Sequence, residues 1–291
     1  MQEAYRLAYI RKPEFMGNTR TEEKDPKFKV ISDLPWCEQE INERLAAYRQ
    51  LSDKVEQEWH ALPAQKKETY FQLVKYPVQA AAQMNNKLLT AQLARRGKAD
   101  WADSDRAYDS IVSLTKRYNT TKWNRMMDFQ PRRLPVFNRV ERKALSSGLL
   151  EKPQAVYTWN GADCVEGASV ICEGLGYEGK AVAVEKKKEL TFEFAAWETD
   201  SVEVEVRLLP NHPVEGERLR FTISLDGSAT EAVSYETKGR SEEWKENVLC
   251  NQAVRRMILP VARKASHRLI FTALDEGVVL DQICLYMPRI K

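Results

Sequence analysis

The apolar periodicity of this chain changes once, near residue 150, and that change limits the folds open to it. Before it, Ile41, Leu45, Tyr48, Leu51, Val55, Trp59 and Leu62 recur at helical spacing. After it, apolar residues alternate: Leu190, Phe192 and Phe194; Val202, Val204, Val206 and Leu208; Leu219, Phe221, Ile223 and Leu225. A period near 3.6 buries one stripe of a helix, whereas a period of 2 buries one face of a sheet. Two long blocks of opposite period imply two cores rather than one alternating α/β layer. The expected fold class is α+β multidomain, with an N-terminal antiparallel helical bundle followed by an all-β, jelly-roll-like sandwich. A length of 291 residues suits two domains of roughly 150 residues each.

Within the first block, residues 1–10 carry a helical stripe of Ala4, Leu7 and Ala8 that starts without a capping residue. A two-turn helix needs a partner surface to be stable, so Met1 is expected to sit at the edge of a larger protein. Residues 11–30 are broken by Pro13, Gly17 and Pro26. Asp33 or Pro35 is expected to open a helix ending at Pro63. A second helix runs from about Ala64 to Arg96, stopped by Gly97, with a kink where Pro77 removes the bond to the Leu73 carbonyl. A third follows the acidic cluster Asp100, Asp103 and Asp105 and ends near Asn119. The prolines of QPRRLPVFNRV (130–140) forbid a regular helix. The organisation read from this is a terminal helix and irregular junction (1–30), a bundle (31–140), a linker (141–153) and a sandwich (154–291).

Beyond Ala155, eight or nine strands separated by turn signals are expected, drawn from segments such as VYTWN, ASVICE, KAVAVEK, LTFEFAAW, VEVEVRLL, RLRFTISL, EAVSYE, RRMILPV, RLIFTAL and VLDQICLYM. Asp226-Gly227 marks a hairpin turn. WKENVLCNQ reads as a connecting loop or a short helix.

Charge narrows the function classes. Residues 1–152 carry 28 Lys and Arg against 20 Asp and Glu, a net +8, while residues 153–291 carry 17 against 22, a net −5. The cations are interspersed with acids, as in QEINERLAAYRQLSDKVEQE (39–58), which is the pattern of solvated helix faces with i,i+4 pairs. No nucleic-acid-binding module accompanies them, and no apolar run approaches the ~20 residues that span a bilayer; neither nucleic acid nor membrane is an expected partner. Five cysteines at irregular spacing make no disulfide framework or zinc site, with a Cys164–Cys172 bridge the one conceivable pairing. His60, His212 and His267 have no partner at ligand spacing, so no metal and no cofactor are expected. A surface turn before the strand accounts for Ser266 and His267. No Gly-rich phosphate loop, HExxH or GxSxG occurs.

Four segments occurring in order then carry a specific likeness: RKPEFMG (11–17), FQLVKYPVQAAAQMNNKLLTAQ (71–92), RYNTTKWNRMMDFQPRRLPVF (117–137) and LDEGVVLDQICL (274–285). Together they resemble the C-terminal region of glycoside hydrolase family 115, the xylan α-1,2-glucuronidases, over nearly the whole length. The resemblance implies an enzyme with an N-terminal domain, a catalytic (β/α)8 barrel, a helical bundle and a C-terminal sandwich, of which this chain holds the last barrel helix, the bundle and the sandwich. One departure follows Met127, where DFQPRRLPVF stands in place of a longer His- and Trp-containing stretch in many relatives.

The family removes glucuronic or 4-O-methylglucuronic acid from xylan with inversion, which needs two carboxyl groups ~6.5–9.5 Å apart. The resemblance places these on the barrel, so no catalytic residue is assigned here and the chain alone is expected to be inactive. Asp163, Glu173, Asp226, Asp275 and Asp281 each fit a turn or strand-exit role, and Glu14 an ion-pair anchor. The expected role is a scaffold, domain-docking or dimerisation module; the alternative is a carbohydrate-binding module for acidic xylan. Expected partners are the barrel of a parent enzyme or a second copy, with glucuronoxylan as a further candidate. The family suggests a secreted or periplasmic parent, although this chain carries no signal peptide, and its location stays open. The candidate carbohydrate-binding residues are Trp123, Arg132 and Arg133, because arginine forks grip carboxylates and an aromatic face stacks on a sugar ring. Trp159, Trp197 and Trp244 raise the same question, with Trp197 expected in the core or an interface.

Overall fold

The computed structural model describes residues 2–20, 23–142, 153–164, 170–235 and 241–288. They fall into two compact units, Met1–Lys152 and Pro153–Lys291. Most of the expected linker, 143–152, lies outside the described residues.

In the first unit, α1 (Gln2–Ile10) is followed by single 3-10 turns at Pro13–Phe15 and Pro26–Lys29, then by α2 (Glu38–Ala61). The expected start of α2 at Asp33 or Pro35 is corrected to Glu38, because Cys37 builds a capping box there. The Cys37 Sγ accepts the Glu40 backbone N–H at 3.5 Å, and the Glu40 carboxylate accepts the Cys37 N–H at 2.9 Å, satisfying two orphan donors at once. Asp33 turns away to pair with Arg95 and Arg96.

The second helical run is α3 (Ala64–Tyr70), one π turn (Phe71–Lys75) and α4 (Tyr76–Ala94). The break expected at Pro77 takes the form of that wide turn, in which the Tyr76 N–H reaches the Phe71 carbonyl. The helix stops as its glycine requires: Gly97 adopts φ 68°, while Lys98 N bonds Leu93 O and Gly97 N bonds Ala94 O, both at 3.0 Å. This is the Schellman closure of a helix end. Asp100 caps α5 (Trp101–Asn119), accepting the Ala102 N–H at 2.9 Å.

α4 packs against both α2 and α5 and is the centre of this unit. Ile41, Met84, Leu88, Leu89, Leu93, Ile111 and Val136 form one apolar cluster; Leu7, Tyr48, Leu51, Val55 and Val78 form another. Burial on several sides forces the polar residues of α4 to find partners. Gln92 makes a two-way bond with the Leu34 backbone, at 3.1 and 2.8 Å. Asn85 Oδ1 accepts from Arg44 Nε at 2.7 Å. Arg44 also donates to the Leu7 and Arg11 carbonyls at 3.0 and 2.7 Å, closing the end of α1 with a cation where the helix dipole favours one. That contact and the burial of Leu7 give α1 the partner surface that a helix so short requires.

The second unit is a two-sheet antiparallel sandwich. One sheet has the order β2 (Val170–Glu173), β3 (Lys180–Ala183), β11 (Val279–Tyr286), β5 (Ser201–Leu208), β9 (Ala253–Pro260), with β1 (Tyr157–Asn160) also paired to β11. The other has the order β4 (Glu189–Ala195), β10 (Ser266–Ala273), β6 (Leu219–Leu225), β7 (Ser228–Ala229), with β8 (Val233–Tyr235) paired to β6. Alternate residues of the inner faces make the core: Val202, Val204, Val206 and Leu208 from one sheet meet Phe192, Phe221, Ile223 and Phe271 from the other. The Asp226-Gly227 turn is present with φ 52° and 92°, the two left-handed residues that a type I′ hairpin needs. Residues 242–250 form α6 (Glu242–Cys250), capped by Ser241, whose hydroxyl accepts the Trp244 N–H at 3.1 Å. All five cysteines are free, including Cys164 and Cys172.

His267 differs from expectation. It lies inside β10 and is buried, not in a surface turn. Its Nδ1 is 2.8 Å from Asp226 Oδ2, and Asp226 Oδ1 accepts the Arg268 N–H at 3.1 Å. The hairpin carboxylate therefore reaches under the next strand, and the imidazole stacks on Phe194 with centroids 4.9 Å apart.

Candidate functional site

The segment following α5 gathers the candidate residues. Between Thr120 and Asn138 it carries Lys122, Arg125, Arg132 and Arg133 against one acid, Asp128. All four cations are exposed, and among the described residues no carboxylate pairs with Lys122, Arg125 or Arg133. Arg125, Arg132 and Arg133 have φ of 60°, 55° and 53°. Left-handed backbone costs a non-glycine residue of order 1–3 kcal/mol, and such strain clusters at ligand clamps and active sites.

The segment is tied down at both ends. At its start, Asn119 Nδ2 donates to Met127 O at 2.7 Å, and Asn119 Oδ1 accepts the Met127 N–H at 3.1 Å. At its far end, the buried Lys87 of α4 donates from Nζ to Val136 O at 2.7 Å and to Asn138 O at 2.9 Å. Burial pulls the Lys87 ammonium down to about 7. Gln130 braces the far end, its side-chain amide donating to Asn138 Oδ1 at 3.0 Å and its backbone carbonyl accepting the Arg133 N–H at 2.9 Å. The two arginines sit on the 3-10 turn Pro131–Arg133, in which Arg132 departs from helical backbone with φ 55° and ψ 13°.

Trp123 lies on the earlier turn, 40% exposed, with Met126 at 62%. Its indole N–H donates to Gln72 Oε1 on the π turn, and Lys122 Nζ stands 5.3 Å from the ring centroid. The candidate residues are thus carried by one segment but on two turns. Trp123 is held against the π turn, and the arginines are held through Gln130 and Lys87. Chemically, the segment offers guanidinium forks for a carboxylate and one aromatic face for an apolar surface. Trp123, Arg132 and Arg133 are the candidates the sequence offers, whereas Gln72 and Lys87, which hold the segment, carry no such cue. Pro77 was the available signal for the π turn that carries Gln72.

Three of the candidate carboxylates of the sandwich are engaged in local structure. Asp163 accepts from the backbone and side-chain nitrogens of Asn160, each at 3.0 Å. Asp275 holds Arg220 through two bonds of 2.8 Å, and the guanidinium pulls its carboxyl below the ordinary range. Asp281 is buried, accepting from Tyr177 N at 2.9 and 3.1 Å and from Gln252 Nε2 at 3.0 Å; burial pushes its carboxyl up. The sandwich aromatics are likewise engaged. Trp159 stacks on Tyr157 at 5.2 Å and packs against the core. Trp197 is buried, with its indole N–H donating to Ser201 O at 2.9 Å. Trp244 stacks on His212 at 5.5 Å. Among the described residues no group of His, Cys, Asp and Glu could hold a metal ion, and no helix is long and apolar enough to cross a membrane.

Comparison with known proteins gives a match in sequence and in structure. The Glycosyl hydrolase family 115 C-terminal domain matches residues 168–291. A solved family 115 4-O-methyl-α-glucuronidase, described as specific for decorated arabinogalactans, superposes with a TM-score of 0.94 and 61% identity over 99% of this chain. The chain spans 38% of that protein's length. A family 35 carbohydrate-binding module from Clostridium thermocellum is 10% identical with a TM-score of 0.36, covering 45% of this chain and 98% of that one. A module from Cellvibrio mixtus lichenase 5A is 13% identical with a TM-score of 0.35, covering 47% of this chain and 100% of that one. Likenesses this low carry no functional argument. No curated protein matches the chain.

Proposed function

Glycoside hydrolase family 115 is the family to which this chain belongs, and from that premise we propose that it serves as the non-catalytic C-terminal part of an α-glucuronidase. Its two units act as a scaffold docked to a catalytic barrel. In the assembled enzyme the segment 120–138 borders the approach of an acidic glycan, with Arg132 and Arg133 gripping a uronate carboxylate and Trp123 stacking on the sugar. The observation that carries this reading is the strained, exposed and acid-poor loop that presents those side chains. Backbone strain kept at three arginines is hard to account for by packing, since none of the three is buried.

The reading of the sandwich as an independent carbohydrate-binding module has less support. Trp197 is buried in the core and Trp159 packs against it, so neither stands out as a sugar platform.

Two assays test the proposal. Purified chain incubated with glucuronic-acid-decorated xylo-oligosaccharides or arabinogalactan is expected to release no uronic acid; turnover abolished by neutralising one of its own carboxylates would overturn the non-catalytic assignment. In a titration with the same oligosaccharides, replacing Arg132 and Arg133 by alanine is expected to weaken binding by about tenfold or more, the worth of a charged hydrogen bond. Unchanged affinity would remove the loop from the site.

A further inference from the structure

The π turn at Phe71–Lys75 ends two residues before Pro77, the proline that provokes it. Pro77 has no N–H, and its ring crowds the carbonyl four residues back, that of Leu73. Widening the preceding turn, so that Tyr76 N–H bonds Phe71 O, carries that carbonyl aside without ending the helix. Such single wide turns inside helices are frequent at functional positions. Here the turn buries Phe71 and Lys75, leaves Leu73 68% exposed and holds Gln72 half-buried at the boundary.

Gln72 spends its whole amide on the neighbouring loop and its own helix. Its Oε1 accepts the indole N–H of Trp123. Its Nε2 donates to Thr121 Oγ1 at 3.5 Å and to Glu68 Oε1 at 3.2 Å. Thr121 Oγ1 in turn accepts the Trp123 backbone N–H at 3.2 Å and donates to Tyr118 O at 2.7 Å. One amide therefore braces Trp123 at the ring directly and at the backbone through Thr121. An indole has a single donor, so fixing that N–H on a rigid helix fixes the ring plane that a flexible loop would otherwise leave free.

We propose that Gln72 is a positioning residue for Trp123, presenting the indole face in one orientation to the sugar; this rests on the reading of Trp123 as a glycan contact. Gln72 itself touches no ligand. It lowers the ordering cost that Trp123 would otherwise meet on binding, which is how preorganisation raises affinity.

The test uses the full 291-residue chain and four variants: Q72L, which removes the acceptor, Q72E, which keeps it, W123F, and the Q72L/W123F double variant. The first readout is the Trp123 indole N–H resonance, assigned by its loss in W123F. Q72L is expected to shift that resonance and speed its exchange with water, while Q72E keeps it hydrogen-bonded. The second readout is affinity for a glucuronic-acid-decorated xylo-oligosaccharide. Q72L is expected to weaken it about fivefold, as for one hydrogen bond, with Q72L/W123F no weaker than W123F alone. An unmoved indole resonance in Q72L, or a Q72L loss that adds in full to that of W123F, overturns the proposal. A shifted resonance with affinity unchanged in both W123F and Q72L leaves the positioning intact and sinks the sugar-contact reading instead.

Discussion

Lys87 ties the arginine-bearing loop to the central helix, and the pH at which it does so is open to measurement. Its side chain is fully buried, and burial pulls its ammonium from 10.5 down to about 7. In the unfolded chain the same lysine stays protonated to about 10.4. Between pH 7 and 9 the unfolded state therefore binds more protons than the folded one, so stability rises with pH across that window. Integrating one proton from pH 7 to 9 gives about 2 kcal/mol. Replacing Lys87 by methionine abolishes this dependence and leaves the Val136 and Asn138 carbonyls without their donor, at a cost of about 1–3 kcal/mol each if no water replaces it. K87M is thus expected to be less stable than wild type at pH 9, with the gap narrowing by about 2 kcal/mol on going to pH 7. Urea unfolding of both proteins, followed by the helical signal at several pH values, reads this difference directly. Taking the difference between them also cancels Cys164 and Cys284 of the sandwich, whose thiols burial pushes up. A gap that stays constant from pH 7 to 9 would mean that Lys87 keeps its proton throughout and would refute the reasoning.

Three further outcomes follow from other positions. Asp226→Asn keeps a residue tolerant of the left-handed hairpin backbone but removes the charged acceptor from the buried His267 and the Arg268 N–H; a loss of about 1.5–3 kcal/mol is expected in urea unfolding of the sandwich. The wild-type pair holds the Asp226 carboxyl below its ordinary value, so its stabilising contribution is present above about pH 3.9 and disappears as pH falls through the lower folded value. Gly176→Ala places a Cβ 2.4 Å from Asp281 Oδ1 at a φ of 91°, so thermal unfolding is expected to show a loss of about 2–4 kcal/mol from strain and displacement of that carboxylate. Asp100→Ala removes the cap of α5 and is expected to cost about 1 kcal/mol, read from the midpoint of helix unfolding.

The division into helices and strands was legible because one-sided burial writes its period into the sequence, as Val202–Leu208 and Ile41–Val55 show. What escaped were features resting on pairings between distant residues. Asp33 looked like a helix start, yet it pairs with arginines 62 and 63 positions away, and a cysteine took the cap that Ser, Thr, Asp or Asn usually fill. His267 looked superficial because its partner lies 41 residues earlier, across a strand pairing. Pro77 announced a disturbance in its helix but not whether the helix would bend or widen. At the candidate site, Trp123, Arg132 and Arg133 were chosen for their chemistry, whereas the left-handed backbone beneath the arginines left no trace, since arginine has no preference for that conformation. Gln72 and Lys87 gave no signal either, because a glutamine or lysine on a helix ordinarily faces water.

β11 is the last strand in the sequence, yet it pairs with β1, β3 and β5 and runs through the middle of its sheet. A nascent sandwich emerging from the ribosome therefore lacks its spine until β11 has followed the other ten strands, and those earlier strands wait with unpaired edges. Long-range closure of this kind is slow and leaves those edges open to wrong partners. Trimming a few residues beyond Val279 would accordingly not shorten the sheet by a margin; it would split β1 and β3 from β5, so that the unit fails as a whole.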